Sequence, residues 1–186
     1  MNAATIASPD YLATDFRGIV ERHQSRVYSI ACRILQDPAT AEEVAQDVFL
    51  ALHGSLGRIE SEEHLLRWLR RVTVQRATDA HRRRAVRTSV AEVALEEEAL
   101  PLSLISDGLP PSAGSLDGDG AVGALLRSLP AEQRTIVVMR YQEDMTPTEI
   151  AETLAMPVNT VKSHLQRSLK RLRTRLERMR EEGRHA

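Results

Sequence analysis

Six Lys or Arg side chains and no acid fall between Val158 and Arg175, a charge pattern suited to a polyanion. At about 100° per residue around a helix, Val161, Leu165, Leu169, Leu172 and Leu176 share one narrow sector. Thr160, Ser163, His164, Arg167 and Arg171 share another, centred roughly 140° away by the same geometry. Lys162, Gln166, Lys170 and Arg173 fill a flank between them. One helix thus combines an apolar seam with a donor-rich face free of negative charge. Entry into a DNA major groove asks for that: short polar and Arg side chains for base edges, cations at the margins for phosphates. The candidate DNA-binding side chains are Thr160, Lys162, Ser163, His164, Arg167, Lys170 and Arg171. Arg173, Arg175, Arg178 and Arg180 read as phosphate contacts or solvated charge.

A basic helix alone would equally suit solvent or a coiled coil. The residues before it favour DNA. In TPTEIAETLAMPVNT, Thr146 and Glu149 have capping-box spacing with Pro147 at the first helical position, a compact helix start. Ile150, Ala151 and Leu154 give that helix an apolar face, Met156-Pro157 break it, and Asn159 or Thr160 can cap the next. A short capped helix, a tight turn and a longer basic helix make a helix-turn-helix.

Upstream, the spacing of Phe16, Ile19, Val20, Val27, Ile30, Ala31 and Ile34 predicts a helix. Asp37 as N-cap and Pro38 at the first position start a second. It aligns Ala41, Val44, Ala45, Val48, Phe49 and Leu52, with Glu42, Glu43, Gln46 and Asp47 on its other side. Gly54 and Gly57 mark a break, followed by a polar loop to about Glu62. A third helix is predicted from about His64 to Arg84, with Leu65, Trp68, Leu69 and Val72 inward. Residues 86–120, rich in Gly, Pro, Ser and Asp, read as a flexible linker, although 90–100 suits a short helix. Residues 1–14 read as a disordered tail, 15–85 and 121–180 as two domains. The fold class expected is all-α: two small helical domains joined by an acidic linker.

Charge follows the same division. Residues 15–84 hold 12 Lys/Arg against 10 Asp/Glu, residues 85–120 one against seven, and residues 121–186 12 against eight. Two mildly basic blocks therefore flank an acidic connector, a pattern that the whole-chain charge of −1 conceals. Aromatic residues make up only 3%, so the core must be aliphatic, which suits helices better than sheets. No apolar run approaches the roughly 20 residues of a membrane span, and MNAATIASPDY lacks the features of a signal peptide. The single Cys32 agrees with a reducing compartment, and a cytoplasmic location is expected. His164 has no Cys or His partner at ligand spacing, and His23, His53, His64, His81 and His185 form no ligand set. No phosphate loop or nucleophile–base pair is present. Neither a metal or other cofactor nor an enzymatic activity is expected.

TPTEIAETLAMPVNTVKSHL is similar both to the DNA-binding domain of response regulators and to region four of RNA polymerase sigma factors. The rest of the chain separates them. AEEVAQDVFL (41–50) resembles the second helix of sigma region two through Glu43, Gln46-Asp47 and Phe49. RWLRRVTVQRATDAHRR (67–83) aligns with its next helix through Trp68, Leu69, Arg71, Asp79, Arg82 and Arg83. LLRSLPAEQRTIVVMRY resembles the opening of region four. Without the larger middle domains, the resemblance is to the small extracytoplasmic-function class. It implies that region two docks on core RNA polymerase, through Glu43, Gln46 and Asp47, and opens the downstream promoter element, with Arg82 and Arg83 near DNA. Region four would read the upstream element, and the acidic linker would thread toward the polymerase channel by charge mimicry. An anti-sigma partner is expected by the same analogy. Gln75 stands where the family usually has Asn, and Val74 where a basic residue is common, so no DNA contact carries over to these two. A helix-turn-helix regulator that is not a polymerase subunit is the alternative reading. A response regulator would need a receiver domain of alternating strands and helices, and residues 1–120 show no such strands.

Overall fold

The computed structural model describes residues 15–95, 120–182 and 184, with side chains described for 15–84, 120–181 and 184. The predicted tail and most of the predicted linker lie outside these residues. Seven α-helices and one 3-10 turn are present among the described residues, with no strand. They are α1 (Phe16–Leu35), α2 (Pro38–His53), α3 (Glu62–Leu95), α4 (Gly120–Arg127), α5 (Ala131–Tyr141), α6 (Pro147–Leu154) and α7 (Val158–Glu182).

Helices α1, α2 and α3 pack on one another as an N-terminal bundle. Ile19, Val27, Ile30 and Ile34 of α1, Val44, Val48 and Leu52 of α2, and Leu65 and Leu69 of α3 are buried in its core. Local signals set the helix ends. The Asp15 carboxylate accepts from the Gly18 amide at 3.0 Å, and Gln36 closes α1 in the left-handed region, φ 56°. Asp37 and Pro38 occupy the expected start of α2, but the Asp37 carboxylate caps no backbone amide. It accepts instead from the Thr40 hydroxyl and from Arg84, each at 2.7 Å.

Two expectations for this bundle change. The segment after Gly54 is not a purely polar loop: a 3-10 turn over Leu56–Arg58 turns Leu56 and Ile59 into the core. Helix α3 runs on to Leu95 instead of ending near Arg84. Residues 85–95 contain neither Gly nor Pro, so nothing in them stops the ladder of backbone hydrogen bonds. Thr73, Val74 and Ala77 are buried along α3, while Trp68 and Val72 lie at the edge of its inward stripe.

The C-terminal helices gather around α5. Every residue from Gln133 to Met139 is buried, more than one face of a helix can supply to one neighbour. Helices α6 and α7 cover one side of α5, and α1 packs on another. The helix-turn-helix forms as its signals predict. The Thr146 hydroxyl accepts from the Glu149 amide, and the Glu149 carboxylate accepts from the Thr146 amide at 2.7 Å. Those Thr146 donors hold the Glu149 carboxyl below its ordinary range. Ala155 ends α6 in the left-handed region, φ 52°. Helix α7 begins at Val158, so Asn159 and Thr160 lie inside its first turn rather than capping it. The Pro157 carbonyl accepts from the Thr160 and Val161 amides at 2.9 and 3.2 Å; Pro157 cannot itself extend a helix upstream.

Replacing Thr146 by Ala removes one half of the capping box. The expected cost is about 1 kcal/mol, read as a fall of roughly 4–8 °C in melting temperature for a unit of this size. Calorimetry on the Thr146→Ala chain checks it.

Candidate DNA and polymerase interfaces

Helix α7 buries one stripe and leaves the rest to solvent. The stripe is rotated from the leucine seam expected of it. Val161 and Ser168 are fully buried, and Leu165 and Leu172 are half-buried. Leu169 and Leu176 remain 46% and 43% exposed. The rotation follows what α5 offers. Ser168 donates to the His164 carbonyl at 2.7 Å and lies 3.5 Å from the Gln133 amide oxygen. His164 therefore leaves the predicted DNA face: its side chain is largely buried, with Nε2 3.7 Å from the Glu132 carboxylate. Its Nδ1 is buried without a partner among the described residues.

The remaining predicted residues of this helix stay outside. Lys162, Ser163, Arg167, Lys170 and Arg171 are exposed, and Thr160 is half-buried. Arg167, Lys170, Arg171, Thr174, Arg175 and Arg178 line a shallow groove of about 600 Å³ together with Ser128. Five of its seven lining residues are cationic and none is acidic. Arg167 is steadied along the helix by donating from Nε to the Ser163 carbonyl at 3.2 Å. Such a groove can hold a phosphate backbone and present guanidinium forks to base edges.

The N-terminal bundle carries a second polar surface. Glu43, Gln46 and Asp47 are all exposed on α2 and line one crevice of about 560 Å³ with Asp37, Thr40, Ala80, Arg83 and Arg84. Asp47 pairs with Arg76 at 3.2 Å. The Thr40 hydroxyl, with Arg84 beyond it, holds the Asp37 carboxyl below its usual range against the burial that opposes it. Next to this acidic face Leu50 is 72% exposed, an apolar group among charges. On the other side of α2, Val20, Tyr28, Ala45 and Phe49 floor a cleft between α1 and α2. Tyr28 there is pushed up to about 12 by its hydrogen bond with Cys32 and by burial, so it stays a neutral phenol. Arg82 and Arg83, predicted as a pair, diverge. Arg83 joins the acidic crevice of α2, whereas Arg82 lines a narrow crevice shared with Glu132, Leu154 and Met156 of the C-terminal helices.

Profiles of two families match the chain: sigma-70 region 2 over residues 19–87 and sigma-70 region 4 over residues 119–172. The RNA polymerase sigma-E factor of Streptomyces coelicolor is 32% identical over 162 residues, covering 87% of this chain and 86% of its own. The chain belongs to the extracytoplasmic-function RNA polymerase sigma factors. The ECF sigma factor SigW of Bacillus subtilis is 28% identical over 87% of this sigma factor and 88% of its own length. In fold, the sigma factor resembles RpoE of Bartonella quintana, solved in complex with the anti-sigma factor NepR. The TM-score is 0.61 at 21% identity, covering 88% of this chain and 97% of that one.

Sequence reasoning missed the residues that join region two to region four. The Glu143 side chain, between α5 and α6, is only 1% exposed and accepts from Arg26 of α1 at 2.7 Å. Arg70 of α3 donates to the Glu143 carbonyl at 2.8 Å. Arg134 is buried and donates to the Ile34 carbonyl at 2.9 Å; burial pulls its pKa down. No local pattern could have flagged them, because their partners lie about 70–120 residues away.

His81 sits at this junction. Burial first, then the positive charges of Arg134 and Arg84, lower its pKa from 6.5. The folded chain therefore keeps the imidazole neutral further into acid than the unfolded chain does. Stability is full above about pH 6.5 and falls as the pH drops below it, because unfolding takes up a proton. The urea midpoint should fall between about pH 7.5 and about pH 5.5, and His81→Gln should reduce that fall.

Proposed function

We propose that this sigma factor divides promoter recognition between its two helical units. Residues 15–85 bind core RNA polymerase and the downstream promoter element. Residues 121–180 bind the upstream element through the helix-turn-helix, and residues 86–120 connect the two. The observation that carries the reading is the acid-free cationic groove of α7, turned away from the stripe that α7 buries. Thr160, Lys162, Ser163, Arg167, Lys170 and Arg171 are the residues proposed to meet upstream DNA. Lysines and arginines at the margins hold phosphates, which makes affinity steeply salt-dependent. Arg167 and Arg171, which both line the groove, supply the forks for base edges. His164 is left out because of its burial.

On region two, Glu43, Gln46 and Asp47 are proposed to dock on core polymerase. They are exposed together, and the exposed Leu50 beside them gives that face an apolar contact that charge alone would not supply. Arg82 and Arg83 are proposed to contact DNA phosphates. Among the described residues no helix is long and apolar enough to cross a membrane, and the proposed place of work is the cytoplasm, with the polymerase. The chemistry of RNA synthesis is left to the core enzyme. An anti-sigma factor, such as the one bound to the Bartonella relative, is the proposed regulatory partner. A regulator independent of polymerase would have no use for the acidic α2 face.

Two substitutions separate the units. Arg167→Ala or Arg171→Ala should cost roughly 1–3 kcal/mol in upstream-element binding where a base contact is lost. Core affinity should be unchanged. Asp47→Lys should weaken co-purification with core polymerase while circular dichroism and DNA binding stay as in the parent. Equal core affinity for Asp47→Lys and parent would refute the docking face; unchanged promoter preference in both arginine variants would refute the groove.

A further inference from the structure

Helix α7 carries two stripes that cannot both turn inward. On one, Leu165, Leu169, Leu172 and Leu176 follow Val161. The stripe that is buried passes through Val161 and Ser168, with His164, Leu165 and Leu172 half-buried beside them. At roughly 100° per residue, the two are centred about 45° apart around the helix. Leu169 and Ser168 thus compete for one place against α5, and the serine holds it: Ser168 is fully buried while Leu169 is 46% exposed. Apolar burial alone favours the leucine, so a polar partner must set the outcome. The first turn of α5 supplies it. Gln133 is 7% exposed, and its amide oxygen lies 3.5 Å from the Ser168 hydroxyl. That hydroxyl also donates to the His164 carbonyl one turn back, at 2.7 Å, so it enters the interior already partnered. A leucine in its place would leave a buried amide facing carbon, a costly mismatch.

His164 is drawn in with the serine. Its Nε2 lies 3.7 Å from the Glu132 carboxylate, and its Nδ1 is buried with no partner among the described residues. A ring nitrogen left unmatched costs stability, which marks His164 as carried by this rotation rather than causing it. The rotation matters for a helix that reads bases. Side chains reach roughly 5–6 Å from a helix axis, so a turn of about 45° carries their ends about 4–5 Å. Successive bases along a strand are about 3.4 Å apart. The same residues in the other phase would therefore meet different bases. With the leucines inward, His164 would return to the outer face, and Lys162 and Arg173 would move toward the core. In the phase observed, Arg167 and Arg171 line the groove and His164 does not.

We propose that Ser168 and Gln133 are positioning residues for promoter choice: the pair fixes the rotational phase of α7 and so selects which of its side chains meet the bases of the upstream element. The proposal rests on the groove reading above. Gln133→Leu exchanges the amide for carbon at nearly constant volume, and Ser168→Leu overfills the serine's place; each favours the phase with the leucines inward. Holoenzyme reconstituted from core polymerase and each full-length chain selects its sites from a pool of random-sequence duplexes. Each variant should change the preferred base at one or more upstream positions, with enrichments shifted about ten-fold, the scale of one bidentate contact. Preferences at the downstream element, read by region two, should stay as in the parent. Labelling of His164 by diethyl pyrocarbonate, read by mass spectrometry on the DNA-free chain, should rise several-fold in both variants. A pair that merely stabilised the fold would, when broken, lower the recovery of every site alike and leave the ranking of bases unchanged. That result overturns the proposal, as does a changed ranking with His164 still protected. If a leucine variant loses its helical circular dichroism, Ser168→Ala and Gln133→Ala, which only remove atoms, decide by the same two readouts. A parent holoenzyme that enriches no upstream motif would instead refute the groove reading, while the labelling would still report the phase of α7.

Discussion

Burial of α5 on more than one side is the constraint around which this molecule is arranged. Ile136 and Met139 are fully buried, and α5 packs against α6 and α7 on one hand and α1 on the other. Arg134 and Gln142 are two turns apart along this segment and both reach α1, one to the Ile34 carbonyl and one to Arg33. Region four thus uses one short helix both as its own core and as part of its contact with region two, the turn at Glu143 and helix α6 supplying the rest. Every surface proposed to act in transcription is what this packing leaves over.

The polar faces are segregated accordingly. Helix α2 sends Val44, Val48 and Leu52 inward and leaves Glu43, Gln46 and Asp47 outside. Helix α7 sends Val161 and Ser168 inward and leaves the arginine groove outside. The acidic face and the basic groove are held on separate helices of separate units, so neither satisfies the other among the described residues. Apart from the local pairs of Asp47 with Arg76 and Asp37 with Arg84, their charges face solvent, the expected arrangement where complementarity steers association rather than stabilising the fold.

Features with short-range causes were legible in the residues. The Asp37-Pro38 helix start, the capping box of Thr146 and Glu149, and the acid-free run of α7 all depend on neighbours within one turn. What could not be read depends on distant partners. His164 looked like a groove residue because helical-wheel geometry knows only its own helix; Glu132 and Gln133 of α5 settle which side turns inward. Leu56 and Ile59 looked like members of a polar loop because their burial comes from the core that the three bundle helices create. Glu143 looked like one acid in a polar turn until Arg26, 117 positions away, was found against it. Likewise, α3 outlasted its expected end because the composition shift toward Gly and Pro sets in only after Leu100.

The central claim is that two helical units act together, one on the polymerase and one on DNA, to choose where transcription begins. Sequencing the 5′ ends of RNAs made from chromosomal DNA by core polymerase, with and without this chain, tests it most directly. The account predicts a new set of start sites that share a sequence motif at a fixed distance upstream. An identical set of ends in both reactions would contradict it.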